Sequence, residues 1–206
     1  GVNGSGKHMN WSIGDATGNN YLEPSEKPLE NITFLMTLAA ILLGVHKYSG
    51  ILLGAIKDAG NEHRLGANEA PPAILSVYLG SYLSDVLDHI EGTKRFTEKS
   101  IEHINHDLAE MPNIVKDTSD RNRTSPIAFT GNKFELRALG SSANGAVAAR
   151  VFNMLCAYGY RELNARLDKK TGDMKVQALA VLKDVLKETK HVRFEGDNYS
   201  DSWKKE

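Results

Sequence analysis

A β-hairpin is predicted by the sequence Ser125-Pro126-Ile127-Ala128-Phe129-Thr130-Gly131-Asn132-Lys133-Phe134-Glu135-Leu136-Arg137-Ala138-Leu139. Its two strand candidates, 125–130 and 133–139, are joined by Gly131 and Asn132. A two-residue connection between such runs is typical of a hairpin. The second strand alternates, so that three polar residues share one face: Lys133, Glu135 and Arg137. A solvated sheet face is the ordinary explanation for such a strand.

A second polar strand face is predicted near the beginning of the sequence. Residues 7–13 alternate strictly between one polar and one apolar face: His8, Asn10 and Ser12 against Met9, Trp11 and Ile13. If this polar face and that of the hairpin look into one cavity, His8 and Glu135 bring an imidazole and a carboxylate to a common point. Such a pair suits a divalent ion, and Mg²⁺ or Mn²⁺ is favoured over Zn²⁺ because no thiolate or second histidine joins it.

Most of the remaining sequence predicts helices. Apolar residues at helical spacing and flanking turn residues indicate helices at about 29–48, 145–167 and 174–190. A short helix is also predicted near 97–108, within a stretch that is polar and weakly periodic. A further helix is predicted to begin at Pro71 and Pro72 and to carry Ile74, Tyr78 and Leu79 as far as Ile90. Few strands and several long helices favour an α+β fold.

Composition and charge exclude several function classes. Twenty-five Lys and Arg against 26 Asp and Glu leave a net charge of −1, so nothing marks the chain as a nucleic-acid binder. The apolar stretch 32–45 is shorter than the ~20 residues that cross a bilayer, so we interpret it as a core helix without membrane contact. The single cysteine, Cys156, allows no intramolecular disulfide and favours a reducing, cytoplasmic location.

Two motifs are rejected on their context. The spacing Gly1-x-x-x-x-Gly6-Lys7 approaches a phosphate-binding P-loop, but His8 stands where Ser or Thr must follow, and a strand comes where a helix is required. His103 and His106 imitate a metal pair on the predicted helix 97–108. Their neighbours are mostly charged, which favours a solvated helix face.

Three arginines and one loop glutamate lie in turn-rich segments between the two predicted strand regions. Arg121 and Arg123 directly precede the hairpin, and Arg64 lies in an earlier turn-rich segment. Guanidinium groups bind carboxylates and phosphates through two parallel hydrogen bonds, which suits an anionic substrate. Glu69 lies in a Gly- and Pro-flanked loop that could close over such a site.

These motifs together resemble those of the glutamine synthetases, and their residues are similar to those of the type III class. Four motifs recur in the family's order across essentially the whole chain: Asn3-Gly4-Ser5-Gly6-Lys7-His8-Met9-Asn10-Trp11-Ser12, Gly60-Asn61-Glu62-His63-Arg64-Leu65-Gly66-Ala67-Asn68-Glu69-Ala70-Pro71-Pro72, Arg121-Asn122-Arg123-Thr124-Ser125-Pro126 and Phe129-Thr130-Gly131-Asn132-Lys133-Phe134-Glu135-Leu136-Arg137. The tail Phe194-Glu195-Gly196-Asp197-Asn198-Tyr199-Ser200-Asp201 is similar to that class too.

The resemblance implies an enzyme of glutamine biosynthesis that joins ammonia to L-glutamate with ATP. ATP phosphorylates the side-chain carboxylate, and ammonia attacks the resulting acyl phosphate. In such chemistry the protein forms few covalent bonds itself. It needs a metal ion and guanidinium groups that stabilise the negative charge of the transferred phosphate. The implied fold is α+β, with two or three antiparallel strands of an active-site β-barrel packed against long α-helices, in a protein that forms homo-oligomers.

The resemblance also implies a role for each matching residue. The metal ligands are His8 and Glu135, and the catalytic residues are Glu69, which deprotonates ammonium, and Arg123, which contacts the transferred phosphate. The remaining implied positions bind glutamate (Asn3, Gly4, Arg64 and Arg137) or the nucleotide (Asn10, Ser12 and Lys133). One departure is Ala128, where many relatives have a further phosphate-binding arginine, so Arg121 or Lys133 is expected to compensate.

The resemblance covers only the C-terminal portion of the family's catalytic domain. On this basis residues 1–206 are expected to lack the N-terminal β domain and the upstream strands that carry further metal-binding glutamates. The chain alone is therefore expected to make no glutamine. Two alternatives stay open: another ATP-dependent carboxylate–amine ligase of the same superfamily, and a non-catalytic fragment that only oligomerises.

Overall fold

A computed structural model describes residues 6–25, 27–67, 70–93 and 124–205. Its strands are β1 (Gly6–Trp11), β2 (Val77–Tyr78), β3 (Ile127–Phe129) and β4 (Phe134–Gly140). Its α-helices are α1 (Ile32–Ile56), α2 (Ser81–Glu91), α3 (Gly145–Leu167), α4 (Met174–Glu188) and α5 (Asp201–Lys205). Short 3₁₀ helices occupy Pro28–Glu30 and Lys190–Val192. The α+β class predicted from the sequence is confirmed.

The strands form one open, mixed sheet in the order β1-β4-β3-β2. The predicted hairpin is confirmed, because β3 and β4 are antiparallel with Phe129 opposite Phe134, and the Thr130 amide donates to the Lys133 carbonyl at 2.9 Å. Gly131 has a φ of +96°, which glycine adopts without steric strain. β1 pairs antiparallel with β4, whereas β2 runs parallel to β3. Within the described ranges the sheet does not close into a barrel.

α1 and α3 make the principal helix–helix contact, and two glycines allow their close approach. A Cβ added to Gly44 of α1 would lie 2.4 Å from the Leu155 carbonyl oxygen. A Cβ added to Gly159 of α3 would lie 1.9 Å from the Ala40 carbonyl oxygen. The two backbones therefore touch directly, and larger residues at these glycines would separate the helices.

α1 is longer than the sequence predicted. The predicted range 29–48 begins with the 3₁₀ helix, and α1 itself starts after Asn31, whose side chain accepts from the Phe34 amide at 3.0 Å. It continues past Tyr48, a single non-helical residue (φ −133°, ψ 25°), to Ile56. By length and composition α1 could cross a membrane, but half of its most apolar window is buried within the fold. A core helix has the same properties, and most of the first half of α1 is fully buried.

The helix predicted after Pro71 and Pro72 begins later than expected, and this part of the prediction is wrong. Val77 and Tyr78 form β2 and pair with Ile127 and Ala128 of β3 instead of continuing a helix. Gly80 follows with a φ of +87°, a conformation that interrupts any helix, and α2 starts at Ser81. Leu75, Val77, Tyr78 and Leu79 are therefore buried at the edge of the sheet, whereas Ile74 is exposed.

The two predicted C-terminal helices are confirmed. α3 spans the predicted range, and the Asn144 side chain caps its first turn by accepting from the Ala146 amide at 2.9 Å. α4 ends two residues before the predicted Lys190 and is capped by Asp173, which accepts from Val176 at 3.0 Å. Side-chain oxygens at these positions satisfy amides that have no partner inside the helix. The helix predicted at 97–108 lies outside the described residues.

Candidate active site

The candidate site lies on the paired strands β1 and β4. His8 of β1 and Glu135 of β4 come together, with 3.7 Å between His8 Nδ1 and Glu135 Oε2. The His8 side chain is 56% exposed and that of Glu135 is 20% exposed, so both remain open to solvent on one side. The two strands thus place an imidazole and a carboxylate at one point, which meets the condition that the sequence analysis set for the two polar faces.

The alternation of β1 matches the burial pattern. His8, Asn10 and Ser12 are exposed, whereas Met9, Trp11 and Ile13 are half-buried and pack against the core. The pairing register shifts between Lys7 and Met9, so β1 has an irregularity at His8 itself. The Trp11 indole N–H donates to the Asn153 side-chain oxygen at 2.6 Å, which ties β1 to α3. This hydrogen bond holds the Trp11 side of β1 against α3, so the opposite side, with His8 and Asn10, is exposed to solvent.

Arg137 contacts the same carboxylate from within β4. Its Nε donates to Glu135 Oε2 at 3.1 Å, and its side chain is only 9% exposed. A guanidinium group two residues along the strand thus holds the Glu135 carboxylate in place. Glu135 is therefore contacted by a histidine from one strand and an arginine from its own.

Arg64 lies at the other end of the β1–β4 pair and is held by buried partners. Its Nε donates to the Asn61 side-chain oxygen at 2.9 Å, and its Nη2 donates to the Leu139 carbonyl at 2.8 Å. Gly6 passes so close that an added Cβ would lie 2.7 Å from Arg64 Nη1. Burial lowers the pKa of the Arg64 guanidinium, and the nearby Tyr199 partly offsets this effect. An arginine begins from so high a pKa that it stays charged.

Asn61 is a residue that the sequence analysis missed. Its side chain is 1% exposed and donates to the Ile56 and Ala138 carbonyls, both at 2.7 Å, while its oxygen accepts from Arg64. It thus links the end of α1, β4 and the arginine. Its only sequence signal is its position three residues before Arg64, which does not by itself indicate a role.

The predicted nucleotide-side residues lie toward the opposite end of the strands. Asn10 is opposite Glu135 in the register, and Ser12 follows β1 directly. Lys133 is half-buried in the hairpin turn, one residue before β4. Ala128 is also opposite Glu135, from β3, and is fully buried. The sheet therefore places Asn10 and Ala128 on the two sides of Glu135, on the neighbouring strands β1 and β3.

Several predicted site residues lie outside the described residues: Asn3, Gly4, Glu69, Arg121 and Arg123. The rejected pair His103 and His106 lies outside them as well. Across the ranges that the structure covers, no group of three or more His, Cys, Asp or Glu residues is arranged to hold a metal ion. Among these residues, His8 and Glu135 therefore lie close together without a third residue of these types beside them.

A separate concavity of about 560 Å³ lies beside the loop that follows β1, and it does not include His8 or Glu135. Asp15 lines it and accepts hydrogen bonds from the backbone and side chains of Thr17 and Asn19. These hydrogen bonds hold the pKa of Asp15 far below its usual range, and the bond from the Thr17 side chain has the largest effect. The arrangement is that of an Asp-centred turn, and its hydrogen bonds account for the loop's shape.

Comparison with known proteins supports the resemblance. A family model described as the glutamine synthetase C-terminal domain matches residues 177–206. The chain is 47% identical over 212 residues to a glutamine synthetase of Bacteroides fragilis, with 100% of this chain and 29% of that protein covered. It is 41% identical over 206 residues to a type-3 glutamine synthetase of Dictyostelium discoideum, with 99% and 28% covered. A glutamine synthetase of Butyrivibrio fibrisolvens is 43% identical over 208 residues, with 100% and 29% covered. The chain therefore spans less than a third of the length of these relatives.

Proposed function

Because this chain is related along its whole length to glutamine synthetases, including one of type 3, we propose that it supplies part of a glutamate–ammonia ligase active site. The reaction joins ammonia to the side-chain carboxylate of L-glutamate. ATP first phosphorylates that carboxylate, and ammonia then displaces phosphate from the acyl phosphate. The open sheet β1-β4-β3-β2 forms part of an active-site barrel that other strands of the full-length protein complete.

The observation that carries this proposal is the meeting of His8, Glu135 and Arg137. An imidazole and a carboxylate lie 3.7 Å apart on an open sheet face, and a largely buried guanidinium fixes the carboxylate. On an ordinary solvated sheet face, nothing requires a carboxylate, a guanidinium and an imidazole from two strands to lie in contact. Phosphoryl transfer does need charged groups that are already held in place.

The residues present fit a divalent metal ion in part. Octahedral ligand atoms about 2.1 Å from the metal lie roughly 3 Å from one another. The observed 3.7 Å between His8 Nδ1 and Glu135 Oε2 needs only a small side-chain adjustment to reach that spacing. We propose that these two residues hold Mg²⁺ or Mn²⁺, with further ligands from elsewhere in the full-length protein. The ion would neutralise negative charge on the phosphates.

The arginines serve the anionic substrates in this proposal. Arg64, with Asn3 and Gly4, binds glutamate at one end of β1, and Arg137 contacts a glutamate carboxylate besides holding Glu135. Arg123 stabilises the transferred phosphate, and Glu69 takes a proton from ammonium and shields the acyl phosphate from water. Asn10, Ser12 and Lys133 face the nucleotide. A fixed guanidinium loses little freedom when it binds a carboxylate, and the two buried hydrogen bonds of Arg64 hold it in this way.

The cellular setting follows from the same proposal. We expect a cytoplasmic homo-oligomer that binds glutamate, ammonia and ATP, without nucleic acid or membrane partners. The chain alone would lack part of the metal ligand set and would be inactive. β1 pairs only with β4 among the described residues, so its other edge is available to strands from elsewhere in the protein.

The deciding experiment measures product formation by the full-length protein and by residues 1–206 separately. Purified protein receives glutamate, ammonium, ATP and Mg²⁺, and both glutamine and inorganic phosphate are quantified. We expect equal amounts of glutamine and phosphate from the full-length protein and none from residues 1–206. Product with another amine but not with ammonia would favour a different carboxylate–amine ligase. Absence of phosphate release with every amine would contradict catalysis and leave the oligomerising role.

A further inference from the structure

Two histidines that lie 145 residues apart in the sequence meet at the surface of the fold. His46 belongs to α1, and His191 belongs to the 3₁₀ helix Lys190–Val192 that directly follows α4. His46 Nδ1 lies 3.0 Å from His191 Nε2, and the two rings are nearly perpendicular, with 76° between their planes. The His46 side chain is 29% exposed and His191 is exposed, so solutes in water can reach both nitrogens.

Charged residues of α3 and α4 lie on the opposite side of the His46 ring. Its second nitrogen, Nε2, is 3.8 Å from Glu188 Oε1. The other oxygen of that carboxylate accepts from Arg166 Nη1 at 2.8 Å, and Arg166 Nε donates to Glu162 Oε1 at 3.1 Å. A carboxylate beside Nε2 favours the tautomer that carries its proton there, so Nδ1 keeps its lone pair directed toward His191.

The contact between the two rings has two physical explanations. A hydrogen bond from the His191 Nε2 proton to His46 Nδ1 accounts for the 3.0 Å spacing without any ligand. In the other tautomer of His191, both nitrogens carry lone pairs at this point, and these repel each other unless a cation lies between them. The second arrangement is that of two imidazole ligands on one metal ion.

The spacing of the two nitrogens fits neighbouring ligands of a transition metal. Nitrogen ligands lie about 2.0–2.1 Å from such an ion, so two ligands at a right angle are about 2.9 Å apart, and two at the tetrahedral angle roughly 3.4 Å. The observed 3.0 Å is closer to the right angle. Right angles between ligands are typical of the tetragonal geometry of Cu²⁺ and Ni²⁺, and imidazole suits both ions.

We infer that His46 and His191 form a binding site for a divalent transition-metal ion of the Ni²⁺ and Cu²⁺ class. Glu188 orients His46 through its far nitrogen, as carboxylates do for most metal-binding histidines. Among the residues that the structure describes, no third His, Cys, Asp or Glu completes the set, so the remaining positions are left to water. The bound ion links α1 to the 3₁₀ helix after α4. This site is separate from His8 and Glu135 and does not depend on the proposed function.

The test measures Ni²⁺ binding to the untagged full-length protein by equilibrium dialysis. His46→Gln and His191→Gln each replace a ring by a polar side chain that has no imidazole nitrogen. Other side chains also bind Ni²⁺, so the measured quantity is the number of equivalents per chain that a variant loses relative to the wild type. We expect both variants to lose one equivalent. The matched control is His89→Gln, another exposed histidine, in α2, which should lose none.

A variant that keeps both rings provides a second measurement. Glu188→Gln removes the negative charge beside His46 Nε2 and leaves both imidazoles in place. It should weaken Ni²⁺ binding at this site by about ten- to a hundredfold, the usual effect of losing such a carboxylate, without changing the equivalents bound at saturation. Unchanged affinity in Glu188→Gln would overturn the role of Glu188. Circular dichroism shows whether each variant is folded.

Three outcomes would overturn the metal site itself. If neither His46→Gln nor His191→Gln loses an equivalent, the contact is a hydrogen bond between the rings and nothing more. Loss in only one of the two would indicate binding to a single histidine. Equal loss in His89→Gln would show that exposed histidines bind Ni²⁺ without a built site. The assay for glutamine formation tests the proposed function independently of all three results.

Discussion

Gly159→Ala should destabilise the protein, although alanine is normally the better helix former. In an exposed helix this substitution gains about 0.5–1 kcal/mol. At Gly159, however, the new Cβ would lie 1.9 Å from the Ala40 carbonyl oxygen and 2.6 Å from the Ala40 Cα. Both neighbours are backbone atoms of α1, so no side chain can rotate out of the way.

The size of the effect follows from that overlap. Ordinary contacts begin near 3.4 Å, so α1 and α3 must move apart by about 1.5 Å at their crossing. Overpacking of this kind costs about 1–3 kcal/mol, and a gap of even 0.5–1 Å forfeits roughly a quarter to a half of each dispersion contact nearby. After the helix gain is subtracted, we expect a net loss of about 1–2 kcal/mol. For a chain of this size, this lowers the melting temperature by about 2–8 °C.

The assay compares thermal unfolding of the wild type, Gly159→Ala and Gly54→Ala by far-ultraviolet circular dichroism. Gly54 is the matched control, because it lies in α1, is exposed, and an added Cβ meets no atom within 4 Å. Gly54→Ala should raise the melting temperature slightly. The reasoning is refuted if Gly159→Ala is as stable as Gly54→Ala, since the α1–α3 backbone contact would then not exist as described.

Three further predictions concern the site and the core. Glu135→Ala should markedly weaken Mn²⁺ binding by the full-length protein in a titration, whereas His103→Ala should leave it unchanged; equal losses would contradict the assignment of Glu135. Arg64→Lys keeps the charge but loses the planar donor geometry, so the KM for glutamate should rise more than that for ATP in steady-state kinetics, and equal increases would argue against a glutamate site there. Burial raises the pKa of the Cys156 thiol to about 12, so thiol reagents at mildly alkaline pH should label it slowly until denaturant is added. Fast labelling of the folded protein would show that the α3 core around this thiol is open.

Local patterns in the sequence were sufficient for the strands and helices whose signals lie within a few neighbouring residues. Alternation along 7–13 correctly assigned the open and the packed faces of β1, because side chains of a strand point to opposite sides at every step. In β4 the alternation matched the burial only at the start of the strand, since Glu135 is half-buried but Arg137 and Leu139 on the same face are buried. The ends of α3 were predictable for a similar reason. Asn144 caps the first turn from the position directly before it.

The same local reasoning failed where a distant partner decides the structure. Residues 77–78 have apolar neighbours at helical spacing, yet they form β2 because β3 offers backbone partners some 50 residues away. α1 continues beyond Tyr48 to Ile56, and its fully buried Leu52 and Ile56 belong to the main core. Apolar spacing alone cannot distinguish a short buried strand from part of a buried helix.

The candidate site divides in the same way. The sequence by itself determined that His8 and Glu135 stand on polar faces of two strands, since period-two alternation is a property of each strand alone. Only the tertiary structure decided that these faces adjoin at 3.7 Å, that Asn61 holds Arg64, and that Tyr199 reaches Ala70. These contacts join residues from 3 to 129 positions apart, and their geometry depends on strand register, backbone turns and helix packing. No local pattern encodes a register between two strands, because it follows from the burial of both at once.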